Sequence, residues 1–358
     1  MKVWGVSVSY FTGKLEAYLR YKGIGYEMEP PFGKAKQIKP HTGAIQVPMV
    51  ERDDGRWMSD STPIIAQLER EHPNSAVMPA DPVVRFIALL IEDYADEWLW
   101  RAAMHYRWSY EHDRALLSRI LTDEIAGHLK APRFLKLRTI AKRQLTNFVL
   151  KDGVTPATQS HVEQGYRTAL SGMTRMLKDR PYLLGNTPSI ADFGLMGPML
   201  RHFAQDPTPQ EIMRNEGPYV YEWVARVWNA QASDAELLVD VPGDSEDLLR
   251  EIAETHLVQL AANADAYHST QTKFQMRVQG CDYREMPISR YRVYCLERLR
   301  EEFDDLNAQQ QNNVKALLPY KEAEILWSKQ MPADSGYDPE RLAPFNKSIN
   351  VYGEGTPE

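Results

Sequence analysis

The stretch QVPMVERDDGRWMSDST, residues 46–62, constrains the fold more than any other part of the chain. The dipeptide Asp54-Gly55 between two β-rich segments is typical of a tight hairpin turn. Pro48 lies inside the first of these segments, although a proline removes a donor from a strand ladder and therefore needs a special position. The dipeptide Asp60-Ser61 and a helical pattern follow at once. The stretch therefore predicts a hairpin that leads directly into the start of a helix.

The segments around this hairpin alternate between strand and helix. Residues 2–8 and 26–29 are rich in β-formers, and residues 12–22 between them have helical periodicity. With the hairpin and a helix over residues 62–71, the order is strand, helix, strand, loop, hairpin, helix. This order is typical of an α+β thioredoxin-like domain, which we place at residues 1–80.

The rest of the chain is mostly helical. Residues 81–240 have helical periodicity and are predicted to form an all-α domain. Within it, SIAD at residues 189–192 has the spacing of a capping box, in which each end residue bonds the backbone amide of the other. Residues 241–358 are predicted to form a mostly helical C-terminal extension, with a short hairpin near Gln279-Gly280 and an irregular tail from Met331.

Composition excludes several functional classes. The formal net charge of −7 over 358 residues argues against a nucleic-acid partner. No apolar run approaches the length of a membrane span, and the N-terminus lacks the features of a signal peptide. The two cysteines, Cys281 and Cys295, have no metal or redox spacing, so no metal is predicted. We therefore expect a cytoplasmic protein with no membrane partner.

Two motifs together resemble the glutathione transferase superfamily. QVPMVE at residues 46–51, followed by Asp60-Ser61, is similar to its glutathione-binding signature, and YLLGNTPSIADF at residues 182–193 is similar to its helical-domain signature. The resemblance implies a thioredoxin-like domain, an all-helical domain, glutathione as cosubstrate and, commonly, a homodimer. KLEAYLRYKGI at residues 14–24 also resembles a branch that includes metaxin and failed-axon-connection proteins, several of which are not established enzymes.

The same resemblance implies a glutathione site. The bond before Pro48 is expected to be cis and to turn the backbone of Val47 outward, where the cysteinyl part of glutathione pairs like an added strand. Gln46 would help to hold the other end of the tripeptide. The helix start at Asp60-Ser61 would offer amides and a hydroxyl to the γ-glutamyl carboxylate. The alternative is that Pro48 only interrupts an edge strand and Ser61 only caps a helix.

Catalysis would need a group that stabilises the glutathione thiolate, because a free thiol with a pKa of about 8.5 is largely protonated at neutral pH. The first domain has no cysteine, which leaves a hydroxyl as the donor. Tyr10 resembles the tyrosine of tyrosine-type transferases, Ser9 stands where cysteine-type members keep their nucleophile, and Thr12 is a third hydroxyl near the helix start. Lys14 would add positive potential if it is not simply solvated.

A pocket for the electrophile is expected on the first helices of the all-α domain. The aromatic-rich residues 94–110 carry a helical stripe that would form either an apolar pocket wall or interdomain core. The predicted pocket residues on this stripe are Trp98, Arg101, His105 and Trp108. The acidic residues just before them are interpreted as a solvated helix face: Glu92, Asp93, Asp96 and Glu97.

The sequence thus predicts a glutathione transferase-like enzyme that activates the glutathione thiol for attack on a small electrophile, as in detoxification. The alternative is a non-catalytic binding or scaffolding protein that keeps the same fold. The intact motif at residues 46–61 favours the enzyme, whereas the unfamiliar first helix and the long extension favour the scaffold.

Overall fold

A computed structural model describes residues 1–232 and 237–348 of the chain. Near the N-terminus, four strands form one sheet in the order β2-β1-β3-β4. Strand β1 is parallel to β2 and antiparallel to β3, and β3 and β4 form the predicted hairpin, so β4 is an edge strand. The strands are β1 (Lys2–Trp4), β2 (Glu27–Glu29), β3 (Met49–Glu51) and β4 (Trp57–Ser59).

Three helices accompany this sheet. Helix α1 (Tyr10–Tyr21) connects β1 to β2, and α3 (Ser61–Glu71) follows the hairpin as predicted. Helix α2 (Ala35–Thr42) is not predicted by the sequence, because it contains Pro40 and few apolar residues. In the structure Ile38 of α2 is fully buried in a cluster with Trp4, Met49 and Trp57, so packing on the sheet stabilises this helix despite its weak propensity.

The second part of the chain is entirely helical, as predicted. The predicted long helix over residues 84–110 is a kinked pair, whose halves meet at Trp98. Two further helices are not predicted: α6 places the apolar Leu116 on its exposed side, and α10 begins with a proline-rich turn. The helices are α4 (Pro82–Glu97), α5 (Leu99–Ser109), α6 (Glu111–Ala126), α7 (Arg133–Gln144), α8 (Gln159–Leu177), α9 (Ile190–Pro198), α10 (Pro207–Glu216) and α11 (Pro218–Asn229).

The capping box predicted at residues 189–192 is confirmed. The backbone N–H of Ser189 donates to the carboxylate of Asp192 at 2.9 Å, and α9 begins at the next residue. The Asp192 carboxylate also accepts from the backbone N–H of Leu183 and from the Trp223 indole, both at 3.0 Å. The start of α9 is therefore joined to α11 and to the preceding loop, and α9 packs against both α1 and α4.

The C-terminal extension completes the same hydrophobic core. It consists of α12 (Glu246–Glu251), α13 (Val258–His268), β5 (Lys273–Val278), β6 (Cys281–Pro287), α14 (Arg290–Asp304) and α15 (Ala308–Leu317). Its apolar positions are buried against the helical domain, because α12 packs on α8 while α14 and α15 pack on α4. The α+β thioredoxin-like fold followed by helices is confirmed. Within the described residues, no helix is long and apolar enough to cross a bilayer.

Candidate active site

The loop between β1 and α1 places Ser9 at the N-cap of α1. The Ser9 side chain is half-buried, and its Oγ accepts from the backbone N–H of Thr12 at 3.4 Å. A hydroxyl that accepts such a bond still has its own hydrogen to donate. The loop is held from the helical domain, because Arg107 donates to the Val8 carbonyl at 2.7 Å and to the buried carboxylate of Asp206 at 2.7 Å. Contacts between the two domains therefore fix the position of Ser9.

Tyr10, the first residue of α1, is only 1 % exposed. Its hydroxyl donates to the backbone carbonyl of Ala95 in α4, and burial raises the pKa of this phenol well above its ordinary value. The ring packs edge-on against Trp100 and His202, with centroids 5.4 Å away in both cases. In this conformation Tyr10 joins the two domains, and its hydroxyl hydrogen is already used in the bond to Ala95. Its role as the thiolate donor stays a prediction.

Thr12 is fully buried one turn into α1. Its hydroxyl has no hydrogen-bond partner among the described residues. A Cβ built on Gly5 would lie 2.6 Å from the Thr12 methyl group, so the β1 end of the sheet packs directly on this side chain. Thr12 therefore lies behind Ser9 and under the sheet, and its catalytic role also stays a prediction.

Lys14 is fully buried between two carboxylates of α4. Its ammonium contacts Glu92 and lies 2.5 Å from Asp96, and it donates to the Thr62 hydroxyl at 2.9 Å. Burial alone would lower the pKa of Lys14, but Asp96 and Glu92 outweigh that effect and raise it. The positive charge is therefore balanced inside the domain interface, where it provides little potential to a ligand.

The acidic residues of α4 are not a solvated helix face, so that interpretation is wrong. Glu92 and Asp96 pair with Lys14, as described above. Asp93 contacts His256 of the extension at 2.6 Å, and Glu97 pairs with Arg292 of α14 at 3.0 Å. Charged side chains inside a protein need partners. The sequence alone did not reveal these, because they come from all three parts of the chain.

The glutathione-type motif forms one end of the β3–β4 hairpin. The Val47-Pro48 bond is cis, as the resemblance implies, and Pro48 is buried directly before β3. Because Met49 pairs with Ser59, the residues before β3 lie beside the residues after β4. We call the region formed by residues 46–48 and residues 60–61 the cleft.

Asp60 and Ser61 form the start of α3. Asp60 is the N-cap, with φ of 74°, and its carboxylate accepts from the backbone N–H of Thr62 at 3.4 Å. It also accepts from the Tyr291 hydroxyl of α14 at 2.6 Å. Burial raises the pKa of Asp60 to about 6. Ser61 is only 3 % exposed and Asp60 is half-buried, so both residues predicted to hold the γ-glutamyl end are at least partly covered by other parts of the protein.

The chain's own residues 337–348, the terminal segment, cover this end of the hairpin. The backbone N–H of Ser59 donates to the Pro344 carbonyl at 3.0 Å. The Ser348 hydroxyl donates to the Ser59 hydroxyl at 2.7 Å, and the Ser348 backbone N–H donates to the Thr42 carbonyl at 2.9 Å. The terminal segment therefore bridges the end of β4 and the end of α2, which flank the start of β3.

The predicted pocket stripe packs inside the helical domain. The Arg101 guanidinium lies between the rings of Trp98 and Tyr283, at 4.6 and 5.1 Å, and donates to the Asp152 carbonyl at 2.7 Å. His105 contacts Glu163 of α8 at 3.0 Å, and burial lowers its pKa. Trp108 is fully buried. Trp98, Arg101 and His105 therefore contact α8 or β6, and the role of the four residues as a pocket wall stays a prediction.

A different aromatic group lies beside the start of α1. Trp100 stacks on Phe11 with centroids 5.6 Å apart and meets Phe148 edge-on at 6.0 Å. All three side chains are half-buried, and Tyr10 contacts both Phe11 and Trp100. Trp100 is two residues from Trp98, which rotates it by about 200° to the other side of the helix. Sequence reasoning missed it because both faces of this segment are aromatic.

No metal centre accompanies this site within residues 1–232 and 237–348. No group of three or more His, Cys, Asp or Glu side chains there is arranged to hold an ion. The nitrogens of His105 instead contact Glu163 and Ser109.

Comparisons with known proteins agree with the two motifs. The family model for the glutathione S-transferase N-terminal domain matches residues 4–76, and the model for its C-terminal domain matches residues 148–230. No curated protein matches the chain.

Solved structures similar to this chain include a glutathione S-transferase from Rhodospirillum rubrum F11, with 17% identity, coverage of 69% of this chain and 91% of that chain, and a TM-score of 0.42. The β-etherase LigF from Sphingobium sp. strain SYK-6 is 17% identical, with coverage of 70% and 98% and a TM-score of 0.44. A glutathione S-transferase from Methylobacterium radiotolerans in complex with glutathione sulfonate is also 17% identical, with coverage of 67% and 97% and a TM-score of 0.39. The models for both family domains match in the family's order, so residues 4–76 and 148–230 match the N- and C-terminal domains of glutathione S-transferases.

Proposed function

We propose that the protein is a glutathione transferase that activates the glutathione thiol with the hydroxyl of Ser9. The observation that carries this proposal is the position of Ser9 at the N-terminus of α1, half-buried and with its hydroxyl hydrogen available. The positive end of the helix favours an anion at this point. A donor that is already oriented towards a developing negative charge stabilises it more than water does. Thr12 and Tyr10 are less suited, because their hydroxyls are buried inside the domain interface.

Glutathione would lie in the cleft with its backbone along residues 46–48. The N–H and C=O of Val47 would pair with the cysteinyl unit, and Gln46 would contact the glycyl end. The N-terminus of α3 and the Ser61 hydroxyl would bind the γ-glutamyl carboxylate. The Asp60 carboxylate would accept from the α-amino group, which is the one cation of the tripeptide. Every part of glutathione would thus meet a group of matching chemistry.

In the reaction, the thiol proton would pass to solvent while the Ser9 hydroxyl donates to the sulfur. The thiolate would then attack an electrophilic carbon and form a C–S bond, and the leaving group would depart with the electron pair of the broken bond. The half-buried rings of Phe11, Trp100 and Phe148 would provide an apolar wall for such a substrate next to the sulfur. Homodimer formation, a cytoplasmic location and a role in detoxification are further parts of the proposal.

One observation favours the alternative, a non-catalytic binding or scaffolding protein. Tyr291 and the terminal segment contact Asp60 and Ser59, so the cleft is not openly exposed in this conformation. The resemblance of residues 14–24 to the metaxin and failed-axon-connection branch also favours the non-catalytic alternative, because several proteins of that branch are not established enzymes. A protein of this kind would show no turnover with electrophiles even if it keeps the glutathione cleft, so a turnover measurement separates the two functions.

Ser9→Ala and Tyr10→Phe test the assignment of the donor. We expect Ser9→Ala to lower turnover by roughly 10- to 1000-fold and to raise the pKa of the bound thiol, with little change in glutathione affinity. Tyr10→Phe should keep its thiolate absorbance in a spectrophotometric titration. Ser7→Ala is the matched control, because Ser7 is an exposed hydroxyl of the same loop that bonds Glu124. If Tyr10→Phe abolishes the thiolate signal and Ser9→Ala keeps it, the assignment to Ser9 is wrong.

A further inference from the structure

We propose that the terminal segment, residues 337–348, closes the cleft and that glutathione binds only after this segment has moved away. The inference rests on the proposed function, because that function requires glutathione in the cleft. It concerns what controls access to this site. The segment would act as an intramolecular competitor, supplied by the chain itself.

The position of the terminal segment is the first argument. Its Pro344 carbonyl accepts from the N–H of Ser59, the residue directly before Asp60-Ser61. Its Ser348 backbone donates to the carbonyl of Thr42, four residues before Gln46. The segment therefore runs beside the cleft, between the residue before Asp60 and the end of α2, and its Tyr337 ring meets the ring of Tyr291, whose hydroxyl bonds Asp60. A tripeptide that reaches from Val47 to the start of α3 would meet this segment.

The chemistry of the contacts is the second argument. The bond between Ser59 and Pro344 is a backbone bond to the edge of a sheet, which is how an added strand binds. Glutathione would bind Val47 in the same manner. The segment and the tripeptide would therefore both bind as extended peptides to backbone groups at the same end of the hairpin, so that each would hinder the other.

Gly43 gives the third argument, because it lets the terminal segment approach. A Cβ built on Gly43 would lie 2.7 Å from the Ser348 carbonyl oxygen and 3.3 Å from the Lys347 Cβ. The φ of Gly43 is +76°, which other residues rarely adopt. The end of α2 is thus shaped to receive this segment closely, next to the cleft.

The anchors of the terminal segment are few, so it is suited to leave. The Phe345 ring lies under the Arg56 guanidinium at 4.7 Å, and the Tyr337 ring meets Tyr294 at 4.8 Å. The segment forms no helix or strand, and Arg341 and Leu342 within it are exposed. If only a fraction of the molecules is open, the apparent affinity for glutathione equals the affinity of the open form multiplied by that fraction.

A reversible disulfide tests the inference in the full-length protein. In Ser59→Cys/Ser348→Cys the two sulfurs would replace hydroxyl oxygens that lie 2.7 Å apart, close enough for a disulfide bond of about 2.0 Å after a small relaxation. The probe is S-methylglutathione, which has no thiol to reduce the bond, and binding is measured by calorimetry with and without a phosphine reductant. We expect the oxidised form to bind at least tenfold more weakly than the reduced form.

Two controls separate the closure from side effects. The single variant Ser59→Cys reports the cost of replacing the hydroxyl at the end of β4, and the wild type under the same oxidant reports any effect of Cys281 and Cys295. Phe345→Ala, which removes an anchor of the terminal segment, should bind S-methylglutathione severalfold more tightly than the wild type. A synthetic peptide of residues 337–348 should compete with S-methylglutathione for this variant.

The outcomes distinguish this inference from the proposed function. Equal binding by the oxidised and reduced double variant would overturn the closure and leave the glutathione site intact. Absence of binding in every form, including Phe345→Ala, would overturn the proposed function and the closure with it. Weak binding that appears only on reduction and is strengthened in Phe345→Ala would support both.

Discussion

The two halves of the C-terminal extension contact the rest of the protein in different ways. Helices α12 to α14 contribute fully buried side chains to the common core, such as Leu257 and Leu260 at 0 % exposure. The terminal segment instead contributes backbone hydrogen bonds and two partly buried rings at the surface of the sheet. Burial of apolar area stabilises a fold more than exposed polar contacts do. The difference indicates that the helical half maintains the fold, whereas the terminal segment covers the cleft.

Leu260→Ala in α13 should give the largest effect. Removing a fully buried leucine side chain leaves a cavity, and we expect the free energy of unfolding to fall by about 2–5 kcal/mol. Urea unfolding followed by circular dichroism measures this change. Leu129→Ala is the matched control, because Leu129 is 51 % exposed and its truncation should change stability by about 0.5 kcal/mol or less. A cost below about 1 kcal/mol for Leu260→Ala would show that the helical half is not part of the core.

Asp60→Asn tests the contact where α14 reaches the cleft. Burial raises the pKa of Asp60 from its ordinary value of 3.8 to about 6, so between these values the folded chain binds a proton that the unfolded chain has lost. The contribution of Asp60 to stability is therefore fully present below about pH 4 and is lost as the pH rises through about 6. Over this range the wild type should lose about 1–3 kcal/mol of unfolding free energy relative to Asp60→Asn.

Urea titrations at several pH values measure this difference, and Asp54→Asn is the control for Asp60→Asn. Hydrogen bonds from Arg56 lower the pKa of the exposed Asp54, so its effect should have the opposite sign. A pH dependence that is the same in Asp60→Asn and in the wild type would mean that Asp60 is solvated and that Tyr291 does not cover it.

Phe345→Ala in the terminal segment should give the smallest change in stability. The variant loses a cation–π contact with Arg56 and part of a half-buried ring, which together are worth about 1 kcal/mol or less. Thermal unfolding should remain a single transition with almost the same midpoint as the wild type. A loss as large as that of Leu260→Ala would erase the distinction between the two halves of the extension.

Local signals in the sequence were sufficient for the fold and for part of the site. The turn at Asp54-Gly55 predicts the β3–β4 hairpin, and the spacing of Ser189 and Asp192 predicts the start of α9. The cis bond before Pro48 follows from the family resemblance. Each of these features depends on residues that are close in sequence, so that a short motif carries the whole signal.

Contacts between distant parts of the chain could not be predicted from the sequence. The terminal segment contacts Ser59 through Pro344. Nothing in the sequence of this irregular tail indicates which part of the protein it contacts. The acidic residues of α4 look solvated until their partners Lys14, His256 and Arg292 are placed by the fold. The choice of Ser9 over Tyr10 as the thiolate donor likewise depends on the bond from the Tyr10 hydroxyl to the Ala95 carbonyl. A bond to a backbone carbonyl cannot be predicted from a pattern of side chains.

The edge position of β4 gives the terminal segment a second consequence. An edge strand presents unpaired backbone groups that can recruit a strand of another molecule and so start aggregation. In this protein the outward N–H of Ser59 is already bonded to Pro344, and a proline offers no N–H of its own through which a further strand could extend the ladder. The segment that covers the cleft therefore also protects the sheet from intermolecular pairing.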